Sequence, residues 1–291
     1  MSDLLADLSR RLSALAGQLA PHLVAVQSGH RTASGFIWRE GLVVTSDEAL
    51  ESEEGISLTL PDGTRRPAAL AGRDPSTDIV LLRVDQPLGQ PAELDIGTPR
   101  AVGELALALG RGAEGPVAAL GVVGVVGPAW RSLRGGNIDA LIRLDLRLPR
   151  AAEGGLAVDA EGRPFGMAVH GPRRSTLVIP GATIERVAAH LLEHGRVGRG
   201  YLGLGLQPVR IDASGEHGVL VSSVDEAGPG RQAGLLQGDI ITRFGGEPVG
   251  GMRGLMARLG PDSIGRTVEI GVLRGGAPTV VTLTIGERPT T

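Results

Sequence analysis

The chain has 291 residues, of which 42% are hydrophobic, with a formal net charge of −3 and no cysteine. This length fits about two domains, and so small a negative charge gives no general attraction to nucleic acid or to an anionic membrane surface. Without cysteine the protein has no disulfides, no thiol catalysis and no thiolate metal site.

The first 20 residues predict an amphipathic helix that ends before Pro21, because leucines recur at three- and four-residue spacings: Leu4, Leu5, Leu8, Leu12, Leu15 and Leu19. Such a helix either packs on its own domain or joins chains into an oligomer, and the sequence leaves both alternatives open. The opening segment lacks the basic start and unbroken apolar core of a signal peptide. The sequence contains no run of ~18 apolar residues, the pattern that would predict a membrane span. We therefore expect a cytoplasmic protein without a membrane partner.

Two sets of short β-rich runs follow the helix, the first from "HLVAVQ" to "DIVLLRV" and the second from "ELALALG" to "STLVIP". Many short strands at regular spacing predict all-β barrels rather than a parallel sheet. A helix then begins at about Thr183 and ends before Gly195. The Gly/Arg segment "GRVGRG" reads as a linker, and we place the domain boundary after residue 197.

Five stretches carry a family resemblance, and they occur in this order: "ASGFIWREGLVVTSDEAL", "GRDPSTDIVLLRV", "EGGLAVDAEGRPFGM", "HLLEHGRVGRGYLGLGL" and "AGLLQGDIITRFGGEPV". Together they resemble the HtrA family, in which a trypsin-like serine protease domain precedes a PDZ domain. The resemblance implies a mostly β fold. We expect the amphipathic helix at residues 1–20, two six-stranded trypsin-like β-barrels at 21–197, and an α+β PDZ domain at 198–291.

The resemblance also locates the catalytic positions. The family's aspartate falls on Asp78, its histidine position is held by Glu48, and its serine position is held by Glu153. An alignment shifted by one residue puts Ala152 at the serine position. Neither alignment supplies a hydroxyl nucleophile beside a base, which acyl transfer by this route requires.

The turn before the nucleophile position departs from the family pattern as well, because Arg150 and Ala151 replace its Pro-Gly. His170 follows in the next strand, where we expect a packed or solvated side chain rather than a relocated base. We therefore predict that the protein is not an enzyme but a degenerate serine protease, a pseudoprotease.

A hydrolase or a metal-binding protein with a rearranged site at Glu48, Asp78 and Glu153 is the alternative. Three carboxylates in one cleft would require a shared proton or a cation, and oxygen ligands suit magnesium, calcium or manganese. The chain shows neither a histidine ligand at this place nor a metal-loop motif. We therefore predict no metal and no cofactor.

The C-terminal part retains a peptide-binding pattern. "YLGL" resembles the PDZ loop whose backbone N–H groups hold a peptide carboxylate, and the strand after it would pair with the peptide. The segment Gly251–Gly260 reads as the helix beside the groove, with two adaptable methionines one turn apart. The predicted peptide-binding residues are Tyr201, Leu202, Gly203, Leu204, Leu206, Met252 and Met256.

The predicted function is that of a scaffold or regulator that binds the C-termini of peptides or proteins through its PDZ domain. A further alternative is an inactive subunit in a mixed oligomer with active paralogues. The oligomeric state stays open between such a mixed assembly and a homo-oligomer, for which the family's trimer is the precedent.

Overall fold

The computed structural model describes residues 2–132, 134–195, 198, 200–211 and 217–289, except for the side chains of residues 2 and 262. The chain forms two compact units, one containing residues 1–132 and 137–197 and the other containing residues 133–136 and 198–291. The predicted boundary after residue 197 falls in a segment where residues 196, 197 and 199 lie outside the described part.

The first unit begins with helix α1, Ser2–Leu19. Its first sheet contains β1 (Leu23–Ser28), β2 (Arg31–Arg39), β3 (Leu42–Thr45), β4 (Ser57–Thr59), β5 (Arg65–Pro67), β6 (Ala69–Asp74) and β7 (Ile79–Arg83). The strands are antiparallel and lie in the order β5-β4-β1-β2-β3-β7-β6. Valine, isoleucine and leucine on alternate positions fill a core under this sheet, where for example Val43 pairs with Leu82.

The second half of this unit contains β8 (Leu105–Gly112), β9 (Gly115–Gly127), β10 (Trp130–Arg131), β11 (Asn137–Ile138), β12 (Leu141–Asp145), β13 (Gly155–Asp159), β14 (Pro164–His170) and β15 (Thr176–Pro180). Six of these strands close into a barrel in the order β12-β15-β14-β13-β8-β9, while β10 pairs with β11. Helix α2, Gly181–His194, follows and ends at Gly195, whose φ of 72° is readily adopted by glycine.

One large core joins the sheet, the barrel and α2. It contains Phe36 and Leu81 from the sheet, Leu156 from the barrel, and Ile184 and Leu191 from the helix. With few aromatic residues in the chain, aliphatic side chains supply nearly all of this packing. The core fixes the sheet against the barrel, and with them the loops that carry the catalytic positions.

Helix α1 divides into two parts. Leu19 is 8% exposed, and Leu12 and Leu15 are partly buried against the large core, so this end packs on its own domain. Leu4 and Leu5 are 75% and 73% exposed. The beginning of the helix therefore presents an apolar face to solvent. Among the described helices, none has the length and apolar character needed to cross a membrane.

The second unit contains β16 (Gly200–Tyr201), β17 (Leu204–Arg210), β18 (His217–Val224), α3 (Pro229–Gln232), β19 (Ile240–Phe244), β20 (Glu247–Pro248), α4 (Met252–Ala257), β21 (Thr267–Arg274), β22 (Ala277–Thr284) and β23 (Gly286–Glu287). Its main sheet has the order β17-β18-β19-β21-β22, with β20 beside β19, and β16 pairs with β23. Among the described strands, β17 pairs on one side only, with β18.

The predicted fold class is confirmed: the chain is mostly β, with an N-terminal helix, a closed barrel and a following α+β unit. One detail differs, since the first half of the protease-like unit is a seven-stranded sheet and the six-stranded closed barrel is its second half.

Candidate functional site

Asp78 is the centre of a hydrogen-bond cluster in the turn between β6 and β7. Its carboxylate accepts hydrogen bonds from the Ser46 hydroxyl at 2.8 and 2.9 Å and from the backbone N–H of Glu48 at 2.9 Å. Because β3 and β7 are antiparallel neighbours, the end of β3 lies beside the start of β7. The structure thus brings Glu48 next to Asp78, although the Glu48 side chain is exposed.

Burial raises the pKa of Asp78 from its ordinary 3.8 to about 7. The hydrogen bonds from Glu48 N–H and Ser46 act in the opposite direction, while the negative charges of Glu48 and Asp47 add to the increase. Asp47 itself is paired with Arg73 at 2.6 Å. Near neutral pH, a substantial fraction of Asp78 therefore carries a proton.

Glu153 follows a single 3-10 turn, Arg150–Ala152, and is buried. Its carbonyl accepts a hydrogen bond from the Ser34 N–H at 2.8 Å, and its Oε1 lies 3.2 Å from Nδ1 of His170. The backbone here is tightly enclosed, since a Cβ on Gly154 would lie 2.3 Å from the Ser34 carbonyl oxygen. Glu153 is therefore fixed in place and paired with a half-buried histidine.

The contact with His170 was missed at the sequence level, where this histidine was expected to be packed or solvated. The pairing of β13 with β14 explains the contact, because Gly155 lies opposite Ala168. Two residues further along each strand, the same register puts Glu153 opposite His170. The tight turn at residues 159–163 joins the two strands, but a bulge between Ala157 and Val158 shifts their register by one residue, so the turn alone does not predict this contact.

The three carboxylates at residues 48, 78 and 153 make separate contacts. In the described part of the chain, no group of three or more His, Cys, Asp or Glu side chains is placed to hold a metal ion. Glu48 and Asp78 meet at the end of β3, and the Glu153 side chain contacts His170.

The second candidate site is the loop Tyr201–Leu204 in the second unit. The Leu202 carbonyl accepts a hydrogen bond from Gly230 N–H at 2.7 Å, and the Gly203 carbonyl accepts one from Asp225 N–H at 2.9 Å. The Tyr201 hydroxyl donates to the Asp225 carboxylate at 3.0 Å. Within the described residues, the N–H groups of Leu202 and Gly203 donate to no protein acceptor.

Apolar side chains flank this loop. Leu204, Leu206, Met252 and Met256 are partly buried against the core of the unit, and Leu202 is a core residue. Helix α4 is shorter than the predicted span Gly251–Gly260, but it carries both methionines. Gly254, which by propensity weakens the helix, is required there: an added Cβ would lie 1.8 Å from the Val249 carbonyl oxygen.

Comparison with known proteins defines the class of these two units. Residues 33–167 match the family model of a trypsin-like peptidase domain, and residues 200–285 match that of a PDZ domain. The architecture is therefore a trypsin-like peptidase domain followed by a PDZ domain, as the resemblance implied. The chain belongs to the HtrA family.

Several known proteins are similar to most of this chain. A protein of Brucella suis named "Probable periplasmic serine endoprotease DegP-like" is 30% identical over 273 residues, which cover 88% of this chain and 52% of the relative. A protein of the same name from Bartonella henselae is 31% identical over 278 residues, which cover 88% of this chain and 54% of the relative. The crystal structure of the serine endoprotease from Yersinia pestis has a TM-score of 0.74 and 25% identity over 95% of this chain and 98% of that one. The chain spans about half the length of the curated relatives it matches.

Two sequence-based predictions are wrong by these comparisons. We expected that the protein is not an enzyme, because glutamates hold two catalytic positions, but the relatives are named serine endoproteases, which points to an active protease. We expected a cytoplasmic location, but the relatives are named periplasmic. A single sequence shows neither the activity nor the compartment that its relatives share.

Proposed function

We propose that this HtrA-family protein binds the C-terminal segments of peptides and proteins in the groove between β17 and α4. The observation that carries the proposal is that the N–H groups of Leu202 and Gly203 donate to no acceptor among the described residues. They lie at the beginning of a strand edge with which no described strand pairs. Leu202 and Gly203 are buried, and buried backbone N–H groups without a hydrogen-bond partner are rare. A peptide carboxylate would accept from both in charge-assisted hydrogen bonds.

The same groove can then receive the rest of the peptide as an added strand. Pairing would begin at Leu204 and Leu206 and stop before Pro208, which has no N–H to donate. The last side chain of the peptide would lie among Leu204, Leu206, Met252 and Met256, while Tyr201, held by Asp225, supports the loop. These contacts favour an apolar last residue.

We test this assignment by titrating the full-length protein with a peptide that has a free C-terminus and with the same peptide amidated. Amidation removes the charge that the N–H groups of Leu202 and Gly203 would hold. Equal affinity for both forms would show that the loop does not bind a carboxylate.

In the peptidase unit, we assign the family's aspartate, histidine and serine positions to Asp78, Glu48 and Glu153. Peptide-bond cleavage, the activity in the relatives' names, is the second candidate function, and the pKa of Asp78 near 7 suits a group that exchanges protons at neutral pH. A carboxylate at position 153 supplies no hydroxyl nucleophile, so the attacking group must come from another residue or from water. Casein digestion by the unmodified protein and by Asp78→Asn tests this candidate: loss of cleavage in the variant assigns the activity to this cleft, and unchanged cleavage excludes Asp78.

Self-association and a periplasmic location are also part of the proposal. The exposed Leu4 and Leu5 support an oligomer, either of this chain alone, such as a trimer, or mixed with paralogues. Native mass measurement of the protein, alone and with a paralogue, tests this. Fractionation of cells that express the protein tests its compartment.

A further inference from the structure

A cavity lies beside Glu153 in the peptidase unit, whereas the peptide-binding groove belongs to the PDZ unit. The cavity has a volume of about 520 Å³ and is lined by Arg147, Leu148, Pro149, Arg150, His170 and Arg174. These residues come from two segments: the one that leads from β12 into the 3-10 turn before Glu153, and the end of β14 with the turn that follows it. The barrel closes these strands side by side through β15 and thereby brings both segments to one end.

Three guanidinium groups dominate this cavity. The side chains of Arg147, Arg150 and Arg174 belong to exposed residues and form no hydrogen bond or ion pair with any other described residue. The buried Arg100, in contrast, is paired with Asp95 at 2.7 Å and with Asp159 at 2.9 Å. The arginines of the cavity are therefore available to a ligand.

The neighbouring carboxylate does not neutralise them. Glu153 is buried, and its side chain is paired with His170. Among the described residues, it is the one carboxylate in ion-pair contact with a lining residue. Three positive charges against one negative charge leave a positive cavity whether His170 is neutral or protonated, and a concave site of one sign attracts the opposite charge.

The lining residues indicate which class of ligand the cavity can bind. Guanidinium groups bind planar carboxylates with two parallel hydrogen bonds, and Leu148 and Pro149 provide an apolar surface for the carbon chain that carries the carboxylate. The volume falls within the usual range for sites that enclose a small molecule, ~300–1,000 Å³. We propose that this cavity binds the carboxylate groups of an acidic ligand, presented on a peptide segment rich in Glu or Asp or on a free dicarboxylate.

The test uses the full-length protein and calorimetric titration at low salt. The probes are an acetylated, C-terminally amidated oligoglutamate, the matching oligoglutamine, succinate and inorganic phosphate. Both peptides lack a terminal carboxylate, so they do not engage the loop at Tyr201–Leu204 by its proposed mode. We expect oligoglutamate to bind at least tenfold more tightly than oligoglutamine.

The binding should depend on the arginines of the cavity. The double variant Arg150→Gln, Arg174→Gln should bind oligoglutamate at least tenfold more weakly than the unmodified protein. The control is Arg83→Gln, at an exposed arginine at the end of β7, and it should leave the affinity for oligoglutamate unchanged. A melting temperature equal to that of the unmodified protein checks that the double variant is folded. If that variant does not fold, Arg174→Gln alone is titrated with the same expectation in direction.

Each outcome decides the proposal. Succinate binding that is as tight as that of oligoglutamate and equally dependent on the arginines identifies a free dicarboxylate as the source of the same chemistry. Equal affinity for the two peptides, unchanged affinity in the double variant, or arginine-dependent binding of phosphate without either carboxylate ligand overturns the proposal.

Discussion

Replacing Asp78 with asparagine should stabilise the protein most at and above about pH 7, and distinctly less at pH 5. Burial raises the pKa of Asp78 in the folded protein from 3.8 to about 7, so folding makes this carboxyl hold its proton more tightly. The contribution of this group to stability is therefore full below the unfolded pKa near 3.8, and it is lost as the pH rises through about 7. Above that pH the folded protein carries an unfavourable buried charge, which asparagine does not have.

The size of the effect follows from the shift in pKa. At ~1.4 kcal/mol for each pKa unit, an increase from 3.8 to about 7 corresponds to an upper limit of about 4 kcal/mol. Asp78 is half-buried rather than fully enclosed, and water screens part of the charge, so we expect about 1–2 kcal/mol at pH 8. The backbone should tolerate the change, because φ at this position is 61° and asparagine adopts that region readily.

The assay is urea unfolding of the unmodified protein and Asp78→Asn from pH 5 to pH 8.5. The free energy difference should grow in favour of the variant from pH 5 to about pH 7 and level off above it, whereas Asp85→Asn, a control at an exposed position, should show no such growth. A variant that is equally destabilised at both ends of this range would refute the account, because the carboxylate would then be contributing through its hydrogen bonds with Ser46 and Glu48 rather than losing stability through burial.

Two further predictions concern stability and are checked by thermal or urea unfolding. Gly254→Ala should destabilise the second unit by about 1–3 kcal/mol because its Cβ would overlap the Val249 carbonyl oxygen, whereas Gly260→Ala, where a Cβ meets nothing within 4 Å, should cost much less; equal effects would contradict the close approach. Leu19→Ala should cost about 2–4 kcal/mol, and Leu4→Ala less than about 0.5 kcal/mol, because the two leucines of α1 are 8% and 75% exposed. A large cost at Leu4 would show that this end of the helix is buried in an assembly.

The sequence predicts the architecture well because the architecture depends on local patterns. Leucine spacing defines α1, short apolar runs separated by turn residues define the strands, and the segment around Asp78 marks the family. Each of these signals needs only neighbouring residues. The order of strands in the barrel came from the family resemblance rather than from those patterns.

The contacts within the sites were harder to predict because they depend on register and on close approach. Glu153 meets His170 only through the pairing of β13 with β14. Gly254 looks unfavourable by helix propensity until its distance to Val249 is known. The basic cavity is assembled from two segments, residues 147–150 and 170–174, that are separated in the chain by a strand and a turn, so no local motif contains it.

Peptide binding by the full-length protein tests the central claim most directly. A peptide without acidic side chains and with an apolar last residue should bind with a Kd on the order of micromolar, about −8 kcal/mol, and amidation of its C-terminus should weaken it at least tenfold, about 1.4 kcal/mol. Leu204→Lys should also weaken binding by placing a charge in the groove, whereas Leu236→Lys, at a leucine that is 43% exposed, should not. If the free and amidated peptides bind equally well, and Leu204→Lys binds like Leu236→Lys, the groove at Tyr201–Leu204 does not bind peptide C-termini.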